Sequence, residues 1–348
     1  MLRLHHTYPP THPPTHMHSQ LYTSHDGGLS WTAVSGTGDY NWSTSAVSSD
    51  GSIMWAGAEG NGGDQSGLWV STDGGASFLE VSAISSGLPS DDVWSSITVS
   101  ADGQQVIATA ANGSVWTSTD GGVTFTNTDA PSGDKGWASI STSGDCSLLV
   151  AAEQSGSVWI SFNCGQTWVE QNQAGNPPSP GDWTATAVAA NGQTAWAADS
   201  GGNLWLYDVA WDRWTLASRA STNDWTSLAV SADGRTVFAG TAADGLYYSL
   251  YGGARWQRDM SAGSLDWTGL TVAANGQSAV AATSDGCIYT WAVGTDEGKT
   301  FHPTMAPTVA PTISPTATPT TSPTLQPTAL PTVAPTVQPS AAPTTVSR

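Results

Sequence analysis

Along most of the chain, apolar and polar residues alternate in short runs broken by Gly-containing turns. The runs Trp225–Ser231 (WTSLAVS), Thr236–Ala242 (TVFAGTA) and Gly245–Ser249 (GLYYS) are typical. Each is too short for an ordinary helix and rich in β-branched and aromatic residues, so each predicts a strand. The turns between them read Asp/Asn-Gly, as in ADGR (Ala232–Arg235) and ANGQ (Ala190–Gln193), which favour hairpins. A unit therefore predicts strand A at an opening Trp, an A–B turn, strand B, a Gly turn, strand C, a further turn and strand D.

The opening Trp recurs at Trp42, Trp94, Trp137, Trp183, Trp225 and Trp267, at intervals of 52, 43, 46, 42 and 42 residues. A period in the low forties with four short strands per unit is the signature of a β-propeller. The other Trp fall into columns. Trp69, Trp116, Trp159 and Trp205 sit in strand C, with Tyr247 and Tyr289 at that position in the last two units. Trp31, Trp168, Trp214 and Trp256 close the C–D turn, with Phe78, Phe125 and Phe301 as equivalents; Trp55, Trp196, Trp211 and Trp291 stand outside the columns. Registered aromatics of this kind predict packing between neighbouring blades.

The C–D turn carries the most specific phrase: SHDGGLSW (Ser24–Trp31), STDGGASF (Ser71–Phe78), STDGGVTF (Ser118–Phe125), SFNCGQTW (Ser161–Trp168) and GTDEGKTF (Gly294–Phe301). YDVAWDRW (Tyr207–Trp214) and SLYGGARW (Ser249–Trp256) are eroded copies. Asp26, Asp73, Asp120, Asn163 and Asp296 hold the position at which a short acceptor fixes a tight turn, and the Gly beyond tolerates a positive φ. Local turn chemistry explains every position, so the phrase is read as structural. It resembles the Asp-box, or BNR, repeat of sialidases, sortilin-type receptors and photosystem II assembly factors.

That resemblance, over about Leu21–Phe301, implies an all-β propeller of four-stranded antiparallel blades. Seven C–D hairpins but six A–B hairpins are present, because the first unit begins at its strand C (LYTSHDGG). About seven blades are expected: six complete repeats plus a partial N-terminal one lacking two inner strands, with a six-bladed closure as the alternative. The domains follow: residues 1–20 a disordered Pro/His/Thr-rich leader, 21–301 the propeller, and 302–348 a disordered Pro/Thr-rich stalk or tail. Pro-Thr repetition cannot donate to a sheet or bury a core. Five of the seven His lie in the leader without a spacing that fixes a metal geometry.

The resemblance also implies that ligands bind on the face of the B–C and D–A loops, opposite the Asp-box turns. There the inner strands open with Trp42, Trp94, Trp137, Trp183, Trp225 and Trp267 beside Asp92, Asp182, Asp224 and Asp266. Indoles and carboxylates together suit a sugar, since CH faces stack on indole and hydroxyls bond to carboxylates. The alternative is a repeated inter-blade Trp with an Asp capping the loop. A binding or interaction module for a glycan or a protein is thus expected, with a glycoside hydrolase using paired carboxylates as the alternative.

Charge and chemistry narrow these classes. Only 11% of residues are charged and the net charge is −19, which opposes a polyanionic partner such as DNA. The sialidases to which the box is similar use three converging arginines and an Arg-Ile-Pro phrase. Here Arg213, Arg235 and Arg255 map to the Asp-box face, only Arg219 lies in a D–A loop, and no Arg-Ile-Pro phrase occurs. Sialidase activity is therefore not expected. No cofactor is expected; an acidic crown can attract Ca²⁺, yet no loop has a recognisable ligand spacing. A monomer without a membrane span is expected, extracellular or at the cell surface, or in an organelle lumen. In the fourth unit, pairing Glu153 with Ser157 places Cys146 opposite Cys164, which leaves a disulfide and two unrelated small residues as readings.

Overall fold

The computed structural model describes residues 2–6, 19–37, 40–59, 66–81, 88–89, 92–111, 113–128, 136–171, 181–217, 223–260, 262–292 and 301–304. The chain divides into two units, Met1–Pro307 and Thr308–Arg348, and the second lies outside the described residues. The first is all-β, with no helix among its described elements.

Six four-stranded antiparallel blades form a propeller ring, each a meander in chain order. Partial blade I holds β1 (Leu2–His6), β2 (Ser19–Thr23) and β3 (Thr32–Ala33). Blade II holds β4 (Asn41–Val47), β5 (Met54–Glu59), β6 (Gly67–Ser71) and β7 (Leu79–Glu80). Blade III holds β8 (Trp94–Val99), β9 (Val106–Ala110), β10 (Val115–Ser118) and β11 (Thr126–Asn127). Blade IV holds β12 (Trp137–Thr142), β13 (Leu149–Glu153), β14 (Val158–Ser161) and β15 (Val169–Glu170). Blade V holds β16 (Trp183–Val188), β17 (Thr194–Asp199), β18 (Leu204–Asp208) and β19 (Arg213–Leu216). Blade VI holds β20 (Trp225–Val230), β21 (Val237–Thr241), β22 (Leu246–Ser249) and β23 (Gln257–Asp259). Blade VII holds β24 (Trp267–Val272), β25 (Ser278–Thr283), β26 (Ile288–Ala292) and β27 (Phe301–Thr304).

Blade I differs from the expectation. The sequence predicts loss of both inner strands, but β1 pairs antiparallel with β2 over five residues, Leu2 opposite Thr23 to His6 opposite Ser19. It occupies the strand-B position, inside the stretch that composition marks as a leader. The physical reason is local: Leu2-Arg3-Leu4 alternates and precedes the first Pro. Residues 7–18 lie outside the described residues.

Strand B is the most buried strand of the complete blades. All five residues of β9, β13 and β21 are buried, because strand B is covered by other blades on both faces. The apolar clusters lie between blades: Leu21, Trp42 and Met54 join I to II; Trp55, Trp94 and Phe125 join II to III; Trp196, Trp225 and Leu228 join V to VI. The aromatic columns meet as expected. Trp42 meets Trp69 edge-on at 4.8 Å, Trp225 meets Tyr247 at 5.4 Å, and Trp267 meets Tyr289 at 5.0 Å. Trp55 and Trp196, outside the columns, pack edge-on against Phe125 and Trp256 of the next blade.

Each inner strand carries a β-bulge just after its Trp, for instance between Trp225 and Ser227 against β21. A bulge bends the strand and disrupts the ladder at one residue. The side chain after the Trp repairs it. The hydroxyls of Ser43, Ser95, Thr184 and Thr226 donate to strand-B carbonyls Gly57, Thr109, Ala198 and Gly240, each at 3.2 Å. The recurrent Trp-Ser/Thr pair is therefore one device, an anchor followed by a bulge filler.

Candidate functional site

The Asp-box turns have one repeated geometry. In the second, Ser71 Oγ donates to Asp73 Oδ1 at 2.7 Å and accepts the Gly75 N–H at 2.8 Å. Asp73 then accepts both the N–H (2.9 Å) and the hydroxyl (2.6 Å) of Ser77. Asp26 and Asp120 repeat this with Ser30 and Thr124. Asn163 does so with its amide, accepting the Thr167 N–H and donating to the Thr167 hydroxyl at 2.8 Å. The turn hydroxyl and N–H four residues on hold the Asp73 and Asp120 carboxyls down to about 2; Asp26 is lowered by the same bonds. Asp296 lies outside the described residues.

The A–B turns, read from the sequence as Asp/Asn-Gly hairpins, hold a second acidic motif in which a Ser two residues before the Asp bonds to it. In the A–B turns, Ser48, Ser143 and Ser231 donate to Asp50, Asp145 and Asp233 at 2.7, 2.8 and 2.6 Å. The signal was present as Ser-x-Asp/Asn-Gly or its Cys variant. The Ser48 hydroxyl and Ser52 amide hold Asp50 at about 2. These turns share a face with the Asp-boxes, since Gly74 N–H bonds Ser52 O at 3.0 Å and Gly121 N–H bonds Gln104 O at 2.9 Å. They also run from blade to blade. Ser49 N–H reaches Ala101 O, Ala101 N–H reaches Gly144 O, Gly144 N–H reaches Ala190 O, Asn191 N–H reaches Ala232 O, and Ala232 N–H reaches Ala274 O.

Cys146 and Cys164 form a disulfide with Cα atoms 5.1 Å apart, and Cys287 takes no part in one. The register is Leu149 opposite Ser161, which brings the two Cys opposite each other beyond the strand ends. Both have a left-handed backbone, φ 61° and 57°. They replace a pair of turn glycines that face each other elsewhere: a Cβ on Gly252 would lie 3.5 Å from Gly234 O.

On the opposite face the predicted ring separates into two classes. Trp42, Trp94, Trp137, Trp183, Trp225 and Trp267 are at most 3% exposed, so they present packing edges and no stacking face to solvent. Two reach back to the previous blade: Trp137 Nε1 donates to Gly113 O at 2.9 Å, Trp183 Nε1 to Gly156 O at 3.1 Å. Asp182, Asp224 and Asp266 are exposed, while Asp92 is half-buried. Their carbonyls are fixed by the B–C turns, through the N–H groups of Ser200 (2.9 Å), Ala242 (3.0 Å) and Ser284 (2.9 Å), which holds the carboxylates at the blade mouths. Arg219 lies outside the described residues. Arg258 faces Asp244 at 3.5 Å, and Arg235 is an exposed partner of Asp233.

An open cavity of about 1580 Å³ occupies the middle of the ring. Its wall is hydroxyl-rich, with Thr44, Ser139, Thr184, Thr226 and Thr268 from five of the six inner strands, and Trp31 also lines it. Its carboxylates among the described residues are Asp50 and Asp73, both committed to turns. No group of three or more His, Cys, Asp or Glu that could hold a metal ion occurs among the described residues. No described helix is long and apolar enough to cross a membrane.

Neither a family model nor a curated protein sequence matches the chain. Solved structures do. The GH74 enzyme of Niastella koreensis superposes with a TM-score of 0.62 at 11% identity, covering 82% of this chain and 51% of that one. The GH74 xyloglucanase of Xanthomonas campestris gives 0.63 at 15% identity, covering 82% and 52%. YCF48 bound to a D1 peptide gives 0.61 at 17% identity, covering 80% and 86%. The chain spans about half the length of the two GH74 enzymes. At these identities the likeness establishes the propeller fold alone.

Proposed function

We propose that this chain is a non-enzymatic binding module of the Asp-box type that engages a protein through the loop face opposite its Asp-box turns. The repeated Ser–Asp–Gly–Ser/Thr bonding supports the Asp-box assignment. The observation that carries the functional reading is the split on the loop face: indoles buried, carboxylates exposed. A buried indole has no face for a sugar ring, whereas exposed carboxylates on a chain of net charge −19 steer toward a cationic surface. A protein partner with a basic segment fits this better than a neutral glycan. The peptide held by the YCF48 neighbour supports a protein ligand on such a scaffold. The disulfide supports an oxidising setting, extracellular or in an organelle lumen. The Thr/Pro-rich segment after the propeller suits a stalk, and the protein is read as a monomer without a cofactor.

The GH74 neighbours favour a second reading, a glycoside hydrolase. An inverting hydrolase needs one carboxyl kept protonated as general acid. Asp50 and Asp73, which line the cavity from the Asp-box face, are held low by turn bonds and do not supply that acid, and the loop-face carboxylates Asp182, Asp224 and Asp266 are exposed, so the second reading ranks below the first.

Two assays on the full chain separate them. In the first, an octalysine peptide is titrated against wild type and against Asp182→Asn/Asp224→Asn/Asp266→Asn. At least tenfold weaker binding by the triple variant is expected, and equal binding would refute the loop-face reading. In the second, reducing-sugar release from xyloglucan that a single Asp→Asn change abolishes would establish the hydrolase.

A further inference from the structure

The Asp-box face exposes aromatic rings where the loop face buries its inner Trp. Phe162, Trp211 and Tyr251 sit on the C–D turns of blades IV, V and VI at 51%, 72% and 67% exposure. The same turns of blades I and III expose the aliphatic Leu29 and Val123. A single exposed apolar side chain needs no explanation, but an aromatic on each of three successive blades, at one turn and on one face, is a patterned surface. Trp211 also stands apart from the other Trp outside the columns, since Trp55, Trp196 and Trp291 are buried.

Blades V and VI differ from the intact boxes at the same two positions. An intact box commits its third and seventh residues to each other, as Asp73 does with Ser77. Blade V has Val209 and Arg213 there, and blade VI has Tyr251 and Arg255. Both turns are fixed by other bonds. Around Trp211, Tyr207 Oη donates to Asp212 Oδ1 at 2.6 Å and Asp208 accepts the Ala210 N–H at 2.9 Å. Ser249 Oγ accepts the Gly253 N–H at 2.9 Å and the Tyr251 N–H at 3.3 Å. The anchors are in place, with Trp214 buried and Trp256 edge-on to Trp196 at 5.6 Å. The two turns are neighbours, because Gly253 of blade VI lies against the Trp196 ring of blade V. Each is tied to its own A–B turn, Val209 N–H to Gln193 O at 3.1 Å and Gly252 N–H to Arg235 O at 2.8 Å.

We propose that this arc, Phe162, Trp211 and Tyr251 with Arg213, Arg235 and Arg255, is a binding surface for a neutral, extended β-linked glucan. The equatorial hydroxyls of such a chain leave flat C–H faces that stack on aromatic rings, and the hydroxyls accept from guanidinium N–H groups. Rings on three successive blades are met together only by a polymer, whose serial weak contacts then reinforce one another. Charge complementarity favours a neutral ligand. In the turns of blades V and VI, Arg213, Arg235 and Arg255 balance Asp208, Asp212 and Asp233, while the net charge of −19 repels polyanions. Rings held on hydrogen-bonded turns also lose little freedom on binding. This surface is separate from the acidic loop face and does not depend on it.

Affinity electrophoresis of the full chain through gels containing hydroxyethylcellulose tests this. Saturable retardation that survives about 0.5 M NaCl is expected. Trp211→Ala and Tyr251→Ala should each weaken binding about tenfold, and Trp211→Phe much less. Both side chains are exposed, so Tm should not move, which separates lost binding from lost folding. The loop-face variant Asp182→Asn/Asp224→Asn/Asp266→Asn should migrate as wild type does. No retardation, or equal retardation of Trp211→Ala/Tyr251→Ala, would overturn the proposal. So would stronger retardation by carboxymethylcellulose than by the neutral polymer. Displacement of the glucan by the octalysine peptide would assign this face to a protein and overturn it as well.

Discussion

The disulfide of blade IV gives a sharp test, because two opposing effects meet at the same residues. Cys146 and Cys164 close a loop with a sequence separation of 18, and a loop of that size restricts the unfolded chain by about 3 kcal/mol. Both residues also sit at φ near 60°, where an L side chain costs about 1 kcal/mol or more relative to Gly. Replacing both by Ser removes the link and keeps the backbone cost. Replacing both by Gly removes the link but relieves that cost, restoring the arrangement of the other blades, less about 0.5 kcal/mol per site for the looser unfolded chain. The Ser/Ser variant should therefore lose about 3 kcal/mol, or roughly 6–12 °C in Tm for a domain of this size. The Gly/Gly variant should be about 1–2 kcal/mol more stable than Ser/Ser. Urea titrations with and without dithiothreitol read both numbers. Ser/Ser and Gly/Gly melting together would refute the backbone argument, and a wild type indifferent to dithiothreitol would refute the loop argument.

Three further outcomes are expected. Gly122 lies at φ 91° with the Trp55 ring against it, so a Cβ there would overlap the indole; Gly122→Ala should cost about 2–4 kcal/mol by thermal melting. Thr226 Oγ1 bonds the Gly240 carbonyl of its own blade and the Trp267 carbonyl of the next. Thr226→Val should therefore cost about 1–3 kcal/mol, with Thr226→Ser near wild type, and equal losses in the two would count against the bulge-filler role. The turn carboxyls have folded pKa values below their unfolded value near 4: Asp50, Asp73 and Asp120 at about 2, Asp102, Asp145 and Asp233 also lowered. Their contribution is thus complete above about pH 5 and is lost as pH falls from about 4 through 2. Urea midpoints should plateau above pH 5 and fall steeply below pH 4, less steeply in Asp73→Asn; a flat profile would contradict this.

The architecture was legible because its signals are periodic. Trp at the head of strand A, an aromatic in strand C and another after the box repeat at fixed offsets, and alternation marks the strands between them. Counting residues across one hairpin placed Cys146 opposite Cys164, which the observed register repeats, but left the disulfide as one of two readings. What escaped was whatever has no period. β1 occurs once, in a stretch whose His and Pro content suggests a leader. The bulges leave no compositional mark, so the hydroxyl after five of the six inner Trp read as a generic strand residue. Inter-blade packing of the six Trp, by contrast, was among the readings their columns offered, and they are at most 3% exposed. The cavity belongs to no single segment, since its wall is shared among blades I, II, IV, V, VI and VII.

Among the described residues the run of A–B turn bonds has two ends, at Ser49 and Ala274, so this part of the inner rim is a split washer and not a hoop. A hoop must break somewhere in its middle to open, whereas a split washer can spread at its slit with every link intact. Breathing of the channel should then be concentrated at blades II and VII, with blades IV and V as the stationary back of the spring.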